Sequence, residues 1–236
     1  MILNTRFFGI MLSAVVLLAA SCKKDYYTDT GKHTPNYDGN ALQYLKSKPQ
    51  YFDSISKIIK LAGMESVFSQ EDITFFAPAD SSVNLTLKYI NDRLRSLGRK
   101  EVFRMEQIKP EVWRNQLSRY LFKGKKSLND FPQLDPNNVS AYPGQIYGSY
   151  DGALMNVGVI YNDAGGVRYA GYRQLQLSFI PSASAPRDVR SWYSATVASS
   201  NIAPTNGYVH ALRYSSHFFG FEPNQFLENA LDKGID

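Results

Sequence analysis

Cysteine is almost missing from this chain: there is one, Cys22, in 236 residues. An internal disulfide is therefore excluded. Histidine is nearly as scarce, at three. His33 falls in a polar stretch near the N-terminus, which leaves His210 and His217 for the folded part. At their spacing along an extended chain they project to opposite faces, so a shared metal is not expected. Charge of one sign never accumulates either. Lys and Arg number 26 and Asp and Glu 21, and the net +5 is spread without long blocks. That reads as ordinary solubility and not as a nucleic-acid footprint. No G-x-S-x-G elbow, G-x-x-x-x-G-K-[ST] loop or H-E-x-x-H pair occurs. The expectation is a protein that is not an enzyme, with no catalytic residue, no cofactor and no metal.

Apolar and aromatic residues are plentiful. The chain is 44% hydrophobic, enough for one sizeable core and tight for two domains. Sixteen Tyr and fourteen Phe against two Trp suggest a strand-rich fold. The apolar run at residues 7–20, preceded by Arg6, is shorter than the roughly 20 residues a membrane span needs. With the small residues that follow, it has the pattern of a secretory leader over residues 1–21. Cys22 comes directly after Ala19-Ala20-Ser21, an arrangement that resembles a bacterial lipobox. That resemblance implies that Cys22 is the first mature residue and carries acyl chains, each buried methylene adding about 0.8 kcal/mol of membrane affinity. Lys23 after the cysteine is compatible with outer-membrane sorting. Residues 22–39 are polar, contain Pro35 and show no period, and are read as a flexible tether.

The periodic region spans residues 40–221. Leu42 and Leu45 mark a short first helix. Pro49 opens a second, with Phe52, Ile55, Ile59 and Ala62 on one face and Gly63 as its C-terminal cap. A turn and then an apolar strand at Ile73–Ala77 follow. Asp80 or Ser81 is expected to cap the next helix, with Leu85, Tyr89 or Ile90, and Leu94 facing inward. Another helix is expected over residues 110–122, with Trp113, Leu117, Tyr120 and Leu121 buried. Beyond residue 125 strand patterns dominate, at 153–161, 167–180, 194–202 and 208–214. Residues 222–236 read as a C-terminal helical tail. Helices first and antiparallel strands later give an α+β fold class.

The stretch "ITFFAPADSSV" resembles the first signature of the fasciclin domain, of the type T-x-F-A-P-T-D-x-A-F. Thr74, Phe76, Ala77, Pro78 and Asp80 stand at matching positions. "NGYVHAL" resembles the second signature, of the type N-G-x-I-H-V-I, through Asn206, Gly207, Val209, His210 and Leu212. The resemblance covers residues 40–221 and implies a wedge of two short β-sheets packed against several α-helices. Three positions depart from the pattern: Val83 closes the first signature in place of Phe, Leu121 stands where a Tyr-His pair would carry its His, and Arg213-Tyr214 follow the second signature.

The resemblance implies non-catalytic adhesion or protein binding by a lipoprotein of the cell envelope, held at the outer membrane through acylated Cys22. The alternative is a glycan-binding accessory of a polysaccharide uptake system. Tyr142, Tyr147 and Tyr150 are the candidate ligand contacts, since Tyr offers a flat apolar face with a polar tip. Three coplanar, exposed rings would favour the glycan. The competing reading packs these tyrosines, and Trp192-Tyr193, on the sheet.

Overall fold

The apolar run Ile73–Ala77 is buried at every position because it is an interior strand, β1, paired on both sides. On one side it runs antiparallel to β2 (Leu121–Lys123), and on the other parallel to β7 (Gly207–Leu212). A strand covered on both faces has no reason to alternate polar and apolar residues. The computed structural model describes residues 36–214 and 217–235. The leader 1–21, Cys22 and the tether as far as residue 35, His33 included, lie outside the described residues.

Among the described residues six α-helices precede, interrupt and follow the strands: α1 (Ala41–Lys46), α2 (Pro49–Leu61), α3 (Glu65–Gln70), α4 (Asp80–Ser96), α5 (Pro110–Ser118) and α6 (Pro223–Lys233). The remaining strands are β3 (Gln145–Gly148), β4 (Leu154–Tyr161), β5 (Arg173–Phe179) and β6 (Tyr193–Ile202). The strand order is β2-β1-β7-β6-β5-β4-β3. This is the α+β class, a seven-stranded sheet packed with helices. The order divides at β6. Tyr193–Thr196 pair with β5, whereas Val197, Ser199 and Ile202 pair with β7 across two register shifts. Bulges of this kind twist a strand and turn a sheet. Here the two outermost strands come together, and Tyr150 N–H, just past β3, donates to the Leu121 carbonyl of β2 at 2.7 Å.

Several boundaries differ from the sequence reading. The helix expected through residue 122 ends at Ser118, because Leu121 and Phe122 pair with Phe75 and Thr74 as β2. The turn after Gly63 contains α3. The strand expected from residue 167 starts only at Arg173, after a tight turn that brings Ala164 back to Val167. Leu85 faces solvent, and α4 buries Val83, Thr86, Ile90 and Leu94 instead.

Neither Asp80 nor Ser81 caps α4, whose N-cap is Ala79. Helix α2 is kinked at Phe52, and the Asp80 carboxylate accepts the Asp53 and Ser54 N–H groups just beyond the kink, at 3.1 and 2.9 Å. Asp80 therefore caps the second segment of a neighbouring helix. Burial pushes its carboxyl pKa up in spite of these donors.

The core is one cluster of side chains from Ala41 to Ala230, so residues 33–236 hold within one unit the core needed to fold alone. Asn36 bridges Ala203. Helix α6 seats Phe226 edge-on to Trp113 at 5.4 Å and so belongs to the same core.

Candidate functional site

The two signature stretches lie side by side. In the parallel register Ile73 faces Gly207 and Phe76 faces His210. Gly207 is required by the close approach: a Cβ there would sit 1.8 Å from the Ile73 carbonyl oxygen. Asn206 is buried, and its side chain ties three segments. It accepts from Ala41 N–H at 2.8 Å and donates to the Phe68 and Glu71 carbonyls at 3.2 and 2.8 Å. Phe76, Ala77, Val209 and Leu212 are core residues. Pro78 is also buried, between β1 and the start of α4.

Thr74 and His210 are buried and serve one loop. Thr74 Oγ1 donates to the Gly124 carbonyl at 2.7 Å and accepts from Lys126 N–H at 2.8 Å. His210 Nδ1 accepts from Asn201 N–H at 3.2 Å. Its Nε2 must then carry the proton, which it donates to the Lys126 carbonyl at 3.0 Å. Burial holds this imidazole neutral, with its pKa lowered to about 4. Asn201, at φ 61° in the β6 bulge, returns its side-chain oxygen to Leu128 N–H at 2.7 Å. The loop after β2 is thus held at both ends by side chains from β1, β7 and β6.

That loop shapes one wall of a cleft at the seam between β2 and β3. The cleft measures about 300 Å³ and is lined by Phe122, Lys123, Lys126, Phe131, Tyr147, Ser149 and Tyr150 with intervening glycines. Lys123 Nζ stands 5.2 Å from the Tyr150 ring centroid, and Lys126 Nζ stands 5.8 Å from that of Tyr147. Tyr147 packs edge-on to Phe131, which in turn touches the His210 ring. Tyr150 donates its hydroxyl to Glu71 at 2.9 Å; burial first, and this carboxylate second, raise its pKa.

Of the three tyrosines singled out in the sequence, the structure brings Tyr147 and Tyr150 together and leaves Tyr142 elsewhere. Tyr142 packs edge-on to Tyr169, whose hydroxyl donates to Asp135. All three are half-buried, so there is no exposed coplanar platform. Trp192 is half-buried and Tyr193 is the first residue of β6. Lys123 and Lys126 were not expected. The basic run Lys123-Gly124-Lys125-Lys126, directly after the apolar Leu121-Phe122, is the signal that could have marked them.

Three other buried polar side chains, Tyr120, His217 and Arg119, are tied to the segment after β7 and to α6. Tyr120, the Tyr of the altered Tyr-His position, accepts from Gly220 N–H at 2.8 Å and meets His217 Nε2 at 3.1 Å. Burial raises the Tyr120 pKa far above its usual value and lowers that of His217 to about 4. Arg119 donates to the Gly220 carbonyl at 2.6 Å and to Gln225, and lies 4.1 Å over the Phe179 ring. Burial lowers its pKa to about 10. Among the described residues no three His, Cys, Asp or Glu side chains gather as a metal would require, and no helix is long and apolar enough to cross a membrane.

No family model matches this sequence, and no curated protein is significantly similar to it. Solved structures that resemble the chain include a FAS1 domain pair from the insect cell adhesion molecule Fasciclin I, at 16% identity and a TM-score of 0.36. The match covers 77% of this chain and 46% of that one.

Proposed function

We propose that this chain is a cell-envelope lipoprotein, anchored through acylated Cys22 at the outer membrane, whose fasciclin-like domain binds a protein partner in non-catalytic adhesion. One observation carries the binding part. The polar signature residues Thr74 and His210 both hydrogen-bond the backbone of Lys126, in the loop that sets Lys126 over Tyr147. Buried and occupied, they are scaffold, and the surface they shape is the cleft at the seam.

The chemistry of that cleft favours a protein over a glycan. Sugar rings stack on open aromatic faces, whereas here an ammonium group stands over each tyrosine. Lys123 and Lys126 can instead receive carboxylates while the rings give apolar contact. An acidic segment of a partner protein fits this arrangement.

The reading is tested with a photo-crosslinking residue in place of Tyr147 in the full chain, expressed in cells. The expected outcome is a discrete protein adduct that is lost when Lys123→Glu and Lys126→Glu are added. An adduct unchanged by the charge reversals, or polysaccharide as the sole adduct, refutes it.

A further inference from the structure

The loop leaving α4 carries an arrangement that the seam cleft does not use. Phe103 is 82% exposed and Leu97 53%. Phe103 borders an apolar depression with Leu94, Leu231 and Ile235 on its walls. Arg99 and Lys100 line the same depression, and Arg93 and Arg104 stand nearby in the chain; all four are exposed. Among the described residues none of these four forms an ion pair. Two of the neighbouring acids are already neutralised. Asp92 pairs with Lys88 at 3.0 Å and Arg95 at 3.1 Å, and Glu101 pairs with Arg95 at 2.8 Å. Glu106 is the remaining acid of the segment.

We propose that this face is a peripheral membrane contact, in which Phe103 and Leu97 enter the headgroup region of an anionic phospholipid bilayer and the four cations meet lipid phosphates. The charge is complementary: cations that form no ion pair among the described residues meet a surface that is negative wherever anionic lipids are present. The apolar element suits the same partner. A protein would have to supply a fitted pocket for a ring that projects from a loop, whereas a bilayer supplies one wherever the ring arrives. Lys and Arg stems can lie along the interface with their charged ends in the headgroups. Docked this way, the domain lies against the membrane, so its other faces are presented in a defined direction.

The test uses residues 23–236, which retain the complete core and lack Cys22, so that vesicle binding reads this face and not the acyl anchor. The probes are vesicles of phosphatidylethanolamine with one-quarter phosphatidylglycerol, and matched vesicles of phosphatidylethanolamine with phosphatidylcholine. Expected are binding at least tenfold tighter to the anionic vesicles, loss of that binding at high salt, and a tenfold or greater drop in Arg99→Glu/Lys100→Glu. A Phe103→Trp variant should shift its emission to the blue on anionic vesicles only, relative to the parent chain. Equal binding to both vesicles, or undiminished binding by the folded charge-reversal variant, overturns the proposal. Two other outcomes also overturn it by giving the face a different occupant: self-association abolished by Phe103→Asp without vesicle binding, or polyglutamate binding as tight as vesicle binding with no blue shift. None of these results bears on whether Cys22 is acylated.

Discussion

Thr74 and His210, on neighbouring parallel strands, take the two backbone polar groups of a single residue: Thr74 Oγ1 accepts the Lys126 N–H and His210 Nε2 donates to the Lys126 carbonyl. Thr74 and His210 are fully buried and both contacts are part-buried, so losing either leaves a backbone group of Lys126 without its partner. Thr74→Val and His210→Leu should each cost about 1–3 kcal/mol in urea unfolding. The two share one partner, so the double variant should depart from additivity by at least about 0.5 kcal/mol. Strict additivity would show that the loop is held by something else.

Asn206 and Gly207 act at the start of β7. Asn206→Ala leaves the Ala41 N–H and the Phe68 and Glu71 carbonyls without their partner, and should cost about 3–5 kcal/mol. Gly207→Ala drives a methyl group into the Ile73 carbonyl and should break the β1–β7 pairing. Denaturant unfolding and amide exchange across Ile73–Ala77 measure both effects. Wild-type stability in Gly207→Ala would contradict the register.

Asp80 caps α2 and not its own helix. Asp80→Ala should cost about 1–2 kcal/mol and increase amide exchange at Asp53 and Ser54, with little change at the first turn of α4. Faster exchange confined to α4 would restore the role expected from sequence.

Two buried histidines set an acid limit. Both have folded pKa values lowered to about 4, so the fold keeps them neutral while the unfolded chain takes up protons near pH 6.5. Their contribution is complete above pH 6.5 and is lost as pH falls towards 4. Between pH 6.5 and 5, before most carboxylates titrate, unfolding free energy should drop by up to about 1.4 kcal/mol per pH unit for each histidine. His217→Gln should reduce that slope by roughly half. A flat profile over this interval would mean that both rings are protonated in the fold.

What could be read in advance follows from how local each signal is. The run at Ile73–Ala77 marks an apolar strand, and Pro49 and Pro110 mark helix starts, because these signals lie within a few residues. Leu121–Lys123 looked helical because its apolar residues continued the spacing of α5, and only pairing with β1 makes it a strand. Gln145–Gly148 sits among Tyr, Pro and Gly and carries no strand pattern of its own, yet β4 supplies it with a full set of partners. Asp80 has good capping chemistry, but the kink in α2 decides which helix receives it. For the cleft, Tyr147 and Tyr150 could be singled out by composition. Lys123 and Lys126 could not be joined to them, because nothing local says that the first and last strands of the sheet order meet.

The proposed acyl anchor at Cys22 is tested most directly by fractionating cells that express the full chain and its Cys22→Ser variant, with mass spectrometry of the mature N-terminus. The expected result is a diacylglycerol-modified and N-acylated Cys22 in the membrane fraction, and release of the Cys22→Ser protein from the membrane. An unmodified Cys22, or membrane attachment unchanged by the substitution, would contradict it.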